Sequence, residues 1–195
     1  MTKAELKEFL DAKVEQYNHP SFLESDPLQI PHRYSKREDI EISAFLTATI
    51  AWGNRKSIIN NANRMMQLMD NAPHDFVLSH KESDLERFSG FVHRTFNQTD
   101  LCFFIKSLKN MYRMYDGLEN VFADGISKNS MQPAISNFKQ TFFEMPHQIR
   151  TTKHVSDPSK GSAAKRINMF LRWMVRDNST GVDFGLWKSI PSSVL

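Results

Sequence analysis

Apolar positions recur every three to four residues through most of the chain, the spacing that gathers them on one face of a helix. Leu6, Leu10, Val14 and Tyr17 set the pattern behind TKAE at residues 2 to 5. There the Thr2 hydroxyl and the Glu5 carboxylate can each satisfy a free backbone N–H, forming a capping box. His19-Pro20 stops this helix, and the stretch to Tyr34, with prolines at 20, 27 and 31, reads as a connecting loop. SKRE at 35 to 38 offers a second capping box ahead of DIEISAFLTATIAW. Gly53-Asn54 interrupts that run, and Ile58, Ala62, Met65 and Met69 then resume the helical period. Two helices joined by a tight WGNR turn follow, because Gly and Asn tolerate the left-handed backbone of a turn.

Further along, SDLE at 83 to 86 opens a short helix, and Thr99 caps DLCFFIKSLKNMYRMY. Leu101, Phe104, Ile105, Leu108, Tyr112 and Tyr115 make that helix's apolar stripe, while Ile135, Phe138 and Phe142 mark a weaker one. Met65, Met66, Met69, Met111 and Met114 fall at helical spacing and read as core filling. Strand-like alternation is too short anywhere to support a sheet. The pattern predicts an all-α chain of about eight to ten helices.

Composition narrows this further. The 195 residues suit one large domain or two closely packed lobes, and 40% apolar residues with 15 phenylalanines supply a sizeable core. One cysteine, Cys102 in DLCFFIKSL, excludes a disulfide framework and a Cys-rich metal site; it reads as a small buried hydrophobe in a reducing, cytoplasmic setting. The opening MTKAELKEFLDAK is too charged for a signal peptide, and no apolar run reaches the roughly 18 residues of a membrane span, so no membrane partner is expected. The seven histidines are dispersed, with no His-x-x-x-His and no carboxylate pair at ligand spacing. Phosphate-cradling glycine loops and nucleophile-elbow serines are also missing. Neither a metal nor another cofactor is expected.

The net charge of +3 is unevenly spread. Between Pro146 and Arg176 lie Arg150, Lys153, Lys160, Lys165, Arg166, Arg172 and Arg176 against Asp157 alone, a balance of +6 that leaves −3 for the rest. Such a block suits a polyanionic partner or is a solvated face. Within it, Asp157-Pro158 forbids a continuous helix, and Ser162 can cap one starting at Ala163. On a helical wheel Arg172 and Arg176 lie within about 20° of Lys165. Met169 and Trp173 are beside them and Arg166 is at the far edge; Ala164, Ile167, Phe170, Leu171, Met174 and Val175 are opposite. No acid at helical spacing relieves the three cations, so an external anion would stabilise this face. Lys165 falls in the first turn, where the helix dipole disfavours a cation, the setting a nucleophilic lysine needs. The Trp52–Arg55 turn is either an ordinary connection or a wedge that meets nucleic acid through exposed amides.

DIEISAFLTATIAWGNRKSIINNANRMMQLM paired with KGSAAKRINMFLRWMVR resembles an uncharacterised bacterial protein family that is itself similar to the helix-hairpin-helix DNA glycosylases. The nearest likeness among these is to the archaeal GO glycosylase, which removes 8-oxoguanine from DNA. The resemblance covers most of residues 35 to 195 and implies a two-lobed all-α fold. Residues 35–145 would form most of one lobe and 146–195 the hairpin and basic helix of the other, as one unit spanning 1–195. It implies base excision, with or without strand cleavage, on a damaged base flipped out of duplex DNA. Asn54 would fill the gap left by the base, and Lys165, or failing it Lys160, would attack the sugar C1′. Trp52, Arg55, Lys160, Ser162, Arg166, Arg172 and Arg176 would join Asn54 in contacting DNA.

Two departures stand out. The glycine-rich Leu-Pro-Gly-x-Gly hairpin is reduced to Gly161. The family's aspartate, in a Pro-x-Asp-Thr-His type segment, is expected just where the chain stops at SIPSSVL, and Asp177 and Asp183 lie earlier outside that motif. The expectation is therefore a C-terminally truncated chain or one that lacks the aspartate. A non-catalytic DNA- or RNA-binding module and a helical protein-interaction domain are the alternatives.

Overall fold

The first capping box forms as the sequence requires. Glu5 N donates to Thr2 Oγ1 and Thr2 N to the Glu5 carboxylate, opening α1 (Lys3–Tyr17). A computed structural model describes residues 1–127 and 130–195. No residue of α1 is buried, and Leu6, Leu10, Val14 and Tyr17 stay about half exposed. Helical spacing here marks a helix without a core face, because the chain turns away at Pro20 into three 3-10 turns, Pro20–Ser25, Pro27–Gln29 and Pro31–Arg33. Proline's fixed φ suits such tight turns, and they carry Leu28 and Ile30 into the interior.

Every residue from Ile40 to Thr49 is buried in α2 (Arg37–Thr49), which forms the centre of the fold. Ser35 does not cap it. The helix starts behind Lys36 without a side-chain cap, and Asp39 in its first turn instead accepts from His74 N. Asn54 caps α3 (Arg55–Leu68), and α4 (Pro73–Ser79) leads into a 3-10 helix, Glu82–Phe88. That 3-10 helix is closed by Asp84 accepting from Lys81 N rather than by Ser83 and Glu86. A minimal hairpin, β1 (Val92–His93) with β2 (Phe96–Asn97), pairs Val92 with Asn97 and His93 with Phe96. It delivers Asn97, not Thr99, as the cap of α5 (Gln98–Met114), with Asp100 closing the box on Asn97 N. Asn97 Oδ1 accepts from both Thr99 N and Asp100 N, satisfying two of the free amides of the first turn.

The remaining helices are α6 (Leu118–Asp124), α7 (Gln132–Phe142) and α8 (Lys165–Val175). The class is all-α. Gly125 lets α6 close on α7, since a Cβ there would lie 2.5 Å from Ala134 Cα. The Phe45 ring on α2 meets Phe104, Phe138, Phe142 and Phe170 at 5.4–5.8 Å, so α5, α7 and α8 share one core around it. Met65, Met66, Met69 and Met111 fill that core, but Met114 at the end of α5 is exposed. Tyr115 leaves its predicted stripe to donate to Glu144 (2.9 Å). Among the described residues no helix is long and apolar enough to cross a membrane.

Candidate functional site

The basic helix begins later than its sequence suggests. Asp157 caps the 3-10 turn Pro158–Lys160, Gly161 takes the left-handed conformation (φ 76°), and Ala164 does so too (φ 45°). Ser162 Oγ accepts from Ala164 N within this turn, so it caps no helix, and α8 starts at Lys165 with no side-chain cap. The first intrahelical bond is Asn168 N to Ala164 O. The amides of Lys165, Arg166 and Ile167 therefore point out of the helix end, where the dipole favours an anion. Lys160, Ser162 and Lys165 are exposed beside it, and Lys165 has no carboxylate partner among the described residues.

Arg166 and Trp52 turn inward rather than outward. The Arg166 guanidinium lies 4.6 Å from the Trp52 ring centroid and donates to the Thr49 carbonyl, where burial pushes its pKa down. Trp52 is enclosed on its other sides by His93, edge-on at 5.1 Å, and His154 at 6.1 Å. Together they pin the start of α8 to the end of α2. Trp173 is likewise core, not a neighbour of the basic face. Of the turn, Asn54 and Arg55 remain exposed, though the Asn54 side chain is occupied as the α3 cap, accepting from Ser57 N (3.1 Å). Gly53, at φ 102°, has the Arg94 side chain lying against it.

The cations on α8 do have a carboxylate, supplied by the chain after the helix. Phe184 N bonds Trp173 O (2.8 Å) and Trp187 N bonds Met174 O (3.0 Å), folding the segment back along α8. Asp183 is thereby buried with Oδ2 3.3 Å from Arg172 Nε and 3.5 Å from Arg176 Nη1, while Oδ1 has no partner. Burial raises the Asp183 pKa against the lowering pull of both arginines. His32 stands nearby, its Nε2 2.8 Å from Val182 O and its ring stacked on Phe184 at 4.3 Å. Asp26 completes the cluster, 3.8 Å from Arg55 and also under the influence of Arg172; burial raises its pKa too. Asp26 and Asp183 thus link the turn at Arg55 to the basic face of α8. Asp26 and His32 carry no signal at helical spacing, and Asp183, set aside in the sequence because it lies outside the Pro-x-Asp motif, reaches α8 only through the reversal of the chain after the helix. A buried carboxylate with a raised pKa and a free oxygen is equipped to take or hold a proton.

A second buried polar group lies behind Trp52. Asp100 accepts from Arg150 (2.7 Å), Thr151 (2.7 Å) and Asn97 N (3.0 Å), and His154 Nε2 sits 3.2 Å from it. Burial outweighs Asp100 and holds the His154 pKa down at about 4. In the unfolded chain this histidine takes a proton near pH 6.5, whereas the folded protein refuses it until about pH 4. Stability should therefore fall as pH drops through that window, by up to about 3 kcal/mol from this residue. His80 and His93, also lowered by burial, act in the same direction. Urea unfolding at about pH 7 and about pH 4.5 should show a smaller loss for His154→Gln than for the wild type. An equal loss in both would remove His154 from the account.

Among the described residues no three His, Cys, Asp or Glu side chains are grouped to hold a metal ion. A family model described as "Protein of unknown function (DUF2400)" matches residues 26–195, a span containing the whole charged cluster. No curated protein and no solved structure matches the chain.

Proposed function

The chain belongs to this DUF2400 family, and we propose that it is a DNA-repair glycosylase that releases a damaged base, such as 8-oxoguanine, flipped out of the duplex. The observation that carries this reading is Asp183, a buried carboxylate with one free oxygen between Arg172 and Arg176. In this reading Asp183, although outside the Pro-x-Asp motif, takes the part of the aspartate that the resemblance implies. Cleaving an N-glycosidic bond sends the bonding electrons to the departing base and leaves positive charge at C1′. A nearby carboxylate stabilises that charge and can accept the proton of an attacking water. Arg55, Lys160 and the open amides of α8 are disposed to hold phosphates, and a damaged base unstacks at least cost.

Lys165, following the resemblance, is the nucleophile of a lyase branch. Its amine would bond to C1′ as the base leaves, and opening of the sugar ring would give a reducible Schiff base. Borohydride trapping on 8-oxoguanine and abasic duplexes tests this branch: a covalent adduct is expected for the wild type and none for Lys165→Ala. An adduct surviving in Lys165→Ala and lost in Lys160→Ala would move the role to Lys160.

Binding without catalysis is a second reading, favoured by the position of Lys165 seven residues before Arg172, about 10 Å along the helix axis. It requires affinity for DNA or RNA that falls steeply with salt and no base release from any lesion.

A further inference from the structure

A groove follows the outer face of α5, well apart in sequence from the Asp183 cluster. It consists of two hollows of about 480 and 510 Å³ that share Lys106 as a common wall. One hollow is basic. Lys106 pairs with Glu82, but Lys109 and Arg113 donate only to the backbone carbonyls of His80 (2.8 Å) and Leu78 (3.1 Å). Neither has a carboxylate partner among the described residues. Burial and Arg113 both push the Lys109 ammonium below its usual range, so an added carboxylate there would be stabilising. The other hollow holds an apolar patch of Cys102, Phe103 and Pro146 beside His147, rimmed by polar side chains such as Gln98 and Thr99, with Phe103 stacked on Phe143 at 5.1 Å. Met145 lines the basic hollow and its neighbours Pro146, His147 and Gln148 line the other, so the two hollows lie side by side on either side of Lys106.

We propose that this groove binds an extended acidic peptide from a partner protein. A bulky apolar side chain would seat against Cys102 and Phe103, and carboxylates of the same peptide would pair with Lys109 and Arg113. The spacing supports one ligand bridging both ends. Cys102 and Lys109 are about 10 Å apart along the helix axis, the reach of three residues in an extended strand. Lys and Arg keep N–H donors to spare after capping the end of α4, so the carbonyl bonds do not exhaust them. A nucleic-acid backbone would use the cations but leave the apolar patch uncovered, whereas an acidic peptide with an apolar anchor uses both.

The test is selection of a displayed random-peptide library on the full chain, followed by anisotropy with the selected sequences as synthetic peptides. Enriched peptides should carry two or more acidic residues with Phe, Trp, Leu or Ile about three positions away. Affinity should fall on the order of tenfold or more in Lys109→Glu/Arg113→Glu. Because that pair also ties α4, Thr99→Trp serves as the second variant, covering the apolar patch from an exposed position; it should weaken the same peptides comparably. No enrichment, or affinity unchanged in both variants, overturns the proposal. So does equal competition by an unrelated DNA duplex, which would make the groove a nucleic-acid surface. None of these readouts depends on base excision.

Discussion

Glu41→Ala should destabilise the protein by about 3–5 kcal/mol, the largest single loss expected from one substitution. Glu41 is buried in the middle of α2, where its Oε1 accepts from Arg37 Nε (2.9 Å) and from the Trp187 indole N–H (2.8 Å). Its Oε2 accepts from the Tyr112 hydroxyl (2.7 Å), whose pKa burial and Glu41 together raise well above normal. Truncation strands the Tyr112 and Trp187 donors in the interior, while Arg37 retains Glu119. The effect reaches the proposed site, because Trp187 anchors the segment that carries Asp183. Glu41→Gln keeps the shape and an acceptor for two of the three bonds, and should cost about 1–2 kcal/mol. Urea unfolding of the three proteins distinguishes the cases; an alanine variant no weaker than the glutamine one would show that Glu41 does not hold the three elements together.

Asp183→Asn should lower base release by about 10²- to 10⁴-fold while leaving the fold and DNA affinity intact. Asparagine presents a carbonyl oxygen to Arg172 and Arg176, so the returning segment stays in place, but it neither carries negative charge nor takes a proton. The arginines should matter differently. Without Arg172 and Arg176 only burial would act strongly on Asp183, moving its pKa further up and shifting the acid limb of the rate profile to higher pH. An Arg172→Ala/Arg176→Ala rate profile that is unmoved along the pH axis would show that Asp183 does not set that limb.

Local pattern made most helices legible. Apolar spacing is enforced by the same 3.6-residue geometry that builds them, so the helices at 37–49, 55–68, 98–114 and 132–142 stand close to their sequence positions. Caps were less legible, since several residues around each start offer a suitable oxygen and small differences in reach decide between them. Asn97 displaces Thr99, and Ser162 spends its hydroxyl on Ala164 N two residues away. Burial of a helix is not a local property at all, which is why α1 carries a regular apolar stripe with no buried residue. The charged cluster lies furthest from the sequence pattern. Arg172 and Asp183 meet only because the chain reverses after Val175, and Asp26 meets Arg55 only because three proline turns bring the 20–34 stretch back beside the α3 start. Wheel geometry rightly aligned Arg172 and Arg176 and gave no hint of the acid beneath them.

The most direct measurement is single-turnover release of 8-oxoguanine from a duplex, with binding to the same duplex followed in parallel for wild type and Asp183→Asn. The account requires release by the wild type, its near-complete loss in Asp183→Asn, and unchanged binding by both. Binding without release by the wild type, on this lesion and on a panel of other damaged bases, would contradict it.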